Sequence, residues 1–269
     1  MKPVSKTAYY TAGVRMLDAK LPKPICGDNY AFLFMNDAGM EVLNATRKLI
    51  ASRINAVQRH QIIDELLQEQ LQKNERQKIF IIGAGFDTRA YRLKGGEWVE
   101  LDEPEIIIEK ENKLPANNSP NKLTRIAINF SKEKITDLLQ KYSTNEDVTI
   151  ILEGVSMYLT ESQLADTLQQ FEKLFPNHTL ICDLLTKRFF YFFGRWLHKR
   201  LNDFGAVFHF RNNHPQGFIV KQGYKLLNTI SVPNIAIKKG NLIITKPLQF
   251  IFKNALAKGY TINIFSKKK

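Results

Sequence analysis

The spacing of apolar residues changes period several times along the chain, and each change marks an element. Between Met40 and Val57, the residues Val42, Leu49, Ile50, Ile54 and Val57 fall on one face of a 3.6-residue period. Ile62, Ile63, Leu66, Leu67 and Leu71 do so again, which predicts two amphipathic helices. Ile79 to Ile82 then form an unbroken apolar run, short enough for a buried strand, that stops at Gly83, Ala84 and Gly85. Trp98 to Leu101 predict a second strand ending at Asp102, with Pro104 suited to the first turn of the next helix. LTRIAINF, DVTIILEG and HTLICDLL read as three more strands. Between them, SKEKITDLLQKY predicts a helix with Ile135, Leu138, Leu139 and Tyr142 inward. Thr160 and Gln163 form a capping-box signature ahead of Leu164, Leu168, Phe171 and Leu174. Strand and helix alternate in this way, and right-handed crossovers make that a parallel, doubly wound sheet. YKLLNTISV and YTINIF read as two late strands. Residues 1–35, interrupted by Pro22 and Pro24, are expected to hold short helices and loops.

The chemistry begins where the first strand stops. Small residues at the carboxyl end of a parallel strand let a ligand approach the backbone, and open α/β sheets bind small molecules there. Asp102, about twenty residues further on, has the spacing of an acid that grips ribose hydroxyls. It is equally placed to cap the following helix. Spacing alone leaves a dinucleotide and other adenosine cofactors open, although GAGFDT lacks the third glycine of GxGxxG.

Three motifs go further. GAGFDTRAYRL, then VELDEPEII, then ILEGVSMYLTESQ resemble, in order and spacing, the leucine carboxyl methyltransferase family of class I S-adenosylmethionine (SAM)-dependent enzymes, in its branch of bacterial small-molecule O-methyltransferases. The resemblance covers roughly residues 7 to 185 and thins out beyond. It implies SAM as cofactor and an α/β fold: a doubly wound, mostly parallel, seven-stranded Rossmann-like sheet with an N-terminal helical cover. It also implies a set of cofactor contacts. Gly83 and Gly85 form the loop, Asp102 holds the ribose and Glu153 faces the methionine ammonium. Arg59, in RHQIID, takes the methionine carboxylate, with Arg53 as a rival. Asn129 and Phe130 stand where the family has an Asp-Leu pair against adenine. An amide oxygen can still accept from the adenine amino group, and a Phe ring can pack on the base.

A single domain spanning 1–269 is expected. Within it, 1–75 is the helical cover, 76–185 the cofactor core, 186–223 a substrate lid and 224–269 the C-terminal strands. At 44% hydrophobic residues the composition is globular. Cys26 and Cys182 suggest no disulfide framework, and no signal peptide or bilayer-length apolar run is present, so a soluble, cytoplasmic protein is expected. His209 and His214 have no acid or cysteine beside them, and neither a Walker loop nor a GxSxG elbow occurs, so no metal, NTPase or hydrolase site is expected.

Charge changes the picture for the last third. After Asp183 there are 16 Lys or Arg and a single acid, Asp203, while the first 183 residues carry a net −2. KRFFYFFGRWLHKR interleaves aromatic and basic residues within this region. The function expected is a SAM-dependent O-methyltransferase acting on a carboxylate or hydroxyl of a small, anionic and partly apolar molecule, with no nucleic acid involved. A carboxylate needs no general base. A hydroxyl would, and His209 and His214 are the available imidazoles, neither assigned as catalytic. The competing class is a SAM-fold binding protein whose basic, aromatic C-terminal third docks on an anionic membrane or protein. Lining of a substrate pocket is an equally good home for those aromatics.

Overall fold

The computed structural model describes residues 4–268; residues 1–3 of the expected cover and residue 269 of the expected C-terminal region 224–269 lie outside the described residues. Seven strands form one sheet in the order β3-β2-β1-β4-β5-β7-β6. They are β1 (Lys78–Ile82), β2 (Glu97–Asp102), β3 (Lys122–Ala127), β4 (Val148–Leu152), β5 (His178–Leu185), β6 (Lys225–Ser231) and β7 (Tyr260–Lys267). The first five pair in parallel, and β7 runs antiparallel between β5 and β6. The strand order reverses between β1 and β4, which places a crevice at the carboxyl ends of these two strands.

The apolar runs behave as strands because both faces of the sheet are covered. Ile79 and Ile81 of β1 pack into a core with α1 (Thr7–Ala19), α2 (Asp37–Thr46) and α3 (Ile50–Lys73). Phe80 and Ile82 pack on the other face, against Leu164, Leu168 and Phe171. Alternation along one strand thus feeds two cores. Helices α4 (Arg89–Arg92), α5 (Pro104–Lys113), α6 (Ile135–Leu139) and α7 (Glu161–Leu174) connect the parallel strands. The α7 capping box forms in full, with Thr160 accepting from the Gln163 amide and the Gln163 side chain accepting from the Thr160 amide.

The helical cover departs from the predicted boundaries. Residues 40–57 do not form one helix, because the chain turns between Thr46 and Ile50. The Thr46 hydroxyl donates to the carbonyls of Val42 and Leu43, a bond that competes with the helical ladder. The two predicted helices are then joined as the single α3, because the polar stretch Gln58–Arg59–His60 that separates their apolar faces is itself buried. It reads as surface only until its ion-pair partners are placed.

After β5 come α8 (Lys187–Phe189), a π-helical segment (Phe190–Gly194) and α9 (Arg195–Asn202), which run on from one another. α10 (Pro215–Lys221) precedes β6, and α11 (Val232–Lys238), α12 (Lys246–Ile251) and α13 (Lys253–Lys258) fill the connection from β6 to β7. These last three helices had no counterpart in the sequence pattern. Among the described residues no helix is long and apolar enough to cross a membrane.

Candidate active site

A cavity of about 880 Å³ opens over the carboxyl ends of the parallel strands. Its floor is the loop after β1 (Gly83–Asp87), Asp102 at the end of β2 with Glu103 beyond it, Phe130 after β3, and Glu153–Val155 and Met157–Leu159 after β4. α1 and α3 wall one side, with Tyr10, Asn55, Arg59 and His60. Phe189, Phe193, Leu197, Phe208 and Ile243 make the other side apolar.

Gly83 and Gly85 adopt φ of +68° and +49°, in the left-handed region that favours glycine. A Cβ on Gly83 would sit 2.6 Å from Val155 Cγ2, so the turn also needs the missing side chain. The Asp102 carboxylate ties this loop to the tip of β2, accepting from the amides of Gly85 at 2.5 Å and Glu103 at 2.6 Å. Burial pushes its pKa up to about 6 against these stabilising donors. Glu103 is the residue before α5, so Asp102 stands at the start of that helix as well as on the cavity.

Arg59 is fully engaged on one side. Its Nε donates to Glu153 at 2.9 Å, and its Nη1 donates to Asp183 and to the Tyr260 hydroxyl, both at 3.0 Å. Its Nη2 donates to none of the described residues' acceptors and lies 3.1 Å from where a Cβ on Gly154 would stand. Glu153 also forms an ion pair with Arg89, whose Nη2 lies 2.7 Å from Glu153 Oε2. Burial would raise the Glu153 carboxyl, but the Arg89 and Arg59 guanidiniums hold it well below the usual range. Arg53 does not line the cavity; its Nη1 donates to the Arg47 carbonyl just past the end of α2. Asn129 is not on the wall either, its side chain accepting from the Ser131 amide, whereas Phe130, 40% exposed, is.

The residues that sequence reasoning missed are those completing this network. Arg89 is entirely buried and binds Asp64 and Asp87, each at 2.5 Å. Arg92 binds Asp64 at 2.7 Å, and Arg15 binds Asp28 at 2.8 Å. Burial, then Arg89, lowers the His60 pKa from its ordinary value. The available signal was an arginine inside the glycine-loop motif and an acid, Asp183, inside the otherwise apolar HTLICDLL. His60, Asp87 and Glu153 bring ligand atoms within 4.8 Å of one another, a spacing that a metal could use. The Arg89 guanidinium already sits among them, 2.8 Å from His60 Nδ1, and supplies the cation. His209 and His214 do not line the cavity.

The glycine loop after β1, the acid that ends β2 and Glu153 after β4, the last paired with Arg59 of α3, surround one cavity. A sequence profile of the leucine carboxyl methyltransferase family matches residues 8–172. The chain belongs to the leucine carboxyl methyltransferase family. Two Mycobacteroides abscessus proteins named as S-adenosyl-L-methionine-dependent methyltransferases are 29% and 26% identical over 172 and 178 residues. Each alignment covers 58% of this chain, and the chain spans little more than half the length of these curated relatives, 56% and 58%. Solved structures share the fold at low identity. A DUF574 family protein from Streptomyces avermitilis superposes with TM-score 0.64 at 10% identity, covering 89% of this chain and 95% of its own. A protein from Thermobifida fusca described as a methyltransferase gives 0.62 at 12% identity, covering 95% and 94%. Magnesium protoporphyrin IX methyltransferase from Synechocystis PCC 6803, solved with SAM bound, gives 0.51 at 10%, covering 87% and 94%.

Proposed function

We propose that the protein is a SAM-dependent O-methyltransferase that methylates a carboxylate or hydroxyl of a small molecule. The observation that carries this is the division of a single cavity. One end gathers Gly83, Gly85, Asp102, Arg59 and Glu153 at the strand tips, and the other is lined by Phe189, Phe193, Leu197 and Phe208. The polar end fits SAM chemically. The Asp102 carboxylate can accept from ribose hydroxyls, the uncommitted Arg59 Nη2 suits a carboxylate, and the Phe130 ring can pack on a base. Tyr10 Oη and Asn55 Oδ1 are buried on the same wall with no partner among the described residues, which leaves further polar groups for a ligand.

SAM, when bound, supplies an electrophilic methyl. The chain's own work is to align the acceptor with it and to exclude water, and alignment of this kind is worth several kcal/mol of barrier. Arg59 and Glu153 are fixed by Asp183 and Arg89 before any ligand arrives, so holding the ligand needs little rearrangement. A carboxylate acceptor is favoured, because it needs no proton removed, and while His209 and His214 lie away from the cavity, the lining His60 is held against Arg89 and Glu153. Residues 186–223 are read as the lid over the acceptor.

Calorimetry and thermal unfolding with SAM, S-adenosylhomocysteine and NAD test the cofactor. At about 100 times its dissociation constant, SAM should add roughly 2.7 kcal/mol of stability and raise the melting temperature visibly. Heat and a shift with NAD and neither with SAM would overturn the assignment. An unbiased metabolite screen with labelled methyl donor then names the acceptor.

A further inference from the structure

The helical run from α8 to α9 has two apolar faces. Phe189, Phe193 and Leu197 line the cavity, whereas Phe192 and Trp196 point outward, 54% and 56% exposed. Each outward ring carries a cation, with the Arg188 guanidinium 6.0 Å from the Phe192 ring centre and that of Arg195 5.1 Å from Trp196. Phe252 packs against this run, its ring 5.9 Å from Phe192 and 5.2 Å from Phe193. It brings up the preceding helix α12, on which Phe250 is 82% and Ile251 67% exposed, between the exposed lysines 246 and 253. Ile243, 91% exposed, stands at the mouth of the cavity.

Large apolar side chains gathered at this exposure mark a contact surface. The charge around them says with what. Among the described residues, the ion pairs of the basic C-terminal third are made by Lys239, Lys267 and Lys268, not by Arg188, Arg195, Lys246 or Lys253. A second copy of the chain would set these unpaired cations against one another. Anionic headgroups would neutralise them while the long basic stems and aromatic rings settle at the interface.

We propose that this face docks on an anionic lipid surface, turning the cavity mouth at Ile243 toward the bilayer so that an apolar acceptor enters from the lipid. Only the use made of the cavity rests on the methyltransferase reading; docking stands on the surface itself.

The test is co-sedimentation of the full chain with vesicles of phosphatidylcholine alone and of phosphatidylcholine mixed with phosphatidylglycerol, with SAM calorimetry on the same samples. Binding should require phosphatidylglycerol and fall with added salt. Lys246→Glu should weaken it by about fivefold or more, since one basic residue near an anionic surface is worth roughly that factor. Phe192→Ser with Phe250→Ser should abolish it at unchanged SAM affinity, because neither residue lines the cavity. No binding to the anionic vesicles, binding equal on both vesicle types, or full retention by the double variant would overturn docking. So would concentration-dependent self-association of the wild type that the double variant loses. SAM binding without vesicle binding sinks the docking face alone, and vesicle binding without SAM binding sinks the cofactor reading alone.

Discussion

Asp102 shows how much one residue can carry. Its oxygens hold the Gly85 and Glu103 amides, and the residue lines the cavity. Asp102→Ala should lower SAM affinity at least tenfold by calorimetry, since charge-assisted hydrogen bonds contribute about 1.5 to 3 kcal/mol each. Its fold should survive, because ionising a buried carboxyl with a pKa of about 6 is costly and the variant is relieved of that cost. An unchanged affinity with a lowered melting temperature would instead mean that Asp102 only orders the turn into α5. The pH dependence has a definite sign. Between the ordinary 3.8 and about 6 the native state holds a proton that the unfolded state has released, so this group's contribution to stability falls as pH rises through that window. Ligand hydroxyls donate to the ionised form. SAM affinity should therefore be full above pH about 6 and fall below it, where calorimetry in buffers of different ionisation heat should detect proton release on binding.

At the scale of elements, the turn from β1 into α4 is constrained both by its backbone and by its neighbour. Gly83→Ala meets two penalties, a left-handed backbone and a methyl 2.6 Å from Val155. The backbone part alone is about 1–3 kcal/mol. Gly240 provides the control, with φ +77° and nothing within 4 Å of its added Cβ. Urea unfolding should show Gly83→Ala losing clearly more stability than Gly240→Ala. Equal losses would mean that Val155 moves aside and the turn is not sterically fixed. The loop, the β2 tip and the α7 cap were legible beforehand because their signals are local: glycine conformation, strand length and a four-residue capping pattern. The join across Gln58–His60 was not, because burial of a polar run depends on partners distant in the chain.

The whole molecule is tied together by the Arg89 network, which links α3 through His60 and Asp64 to the tips of β1 and β4 through Asp87 and Glu153. Arg89→Met would leave three buried carboxylates without that guanidinium, and should cost at least about 3 kcal/mol in denaturant unfolding. A loss under 1 kcal/mol would show that the cluster relaxes or takes up water. Burial would raise Asp64, yet His60, Arg89 and Arg92 hold it down to about 2, and Glu153 is depressed as well. Depressed acids contribute stability above their unfolded values, so the cover should loosen as pH falls from about 4 toward about 2, which circular dichroism can follow. The sequence by itself determined the five parallel strands, the two late strands, the glycine loop and the acid after it, because hydrophobic period and turn chemistry act over a few residues. Only the tertiary structure decided that Arg59 and Glu153 face each other and that Asp183, Arg89 and His60 complete their site. It also divided one aromatic cluster between a cavity wall and an exposed face. Ion pairing and burial are properties of distance in space, and these partners lie on separate strands and helices that only the packed sheet brings together.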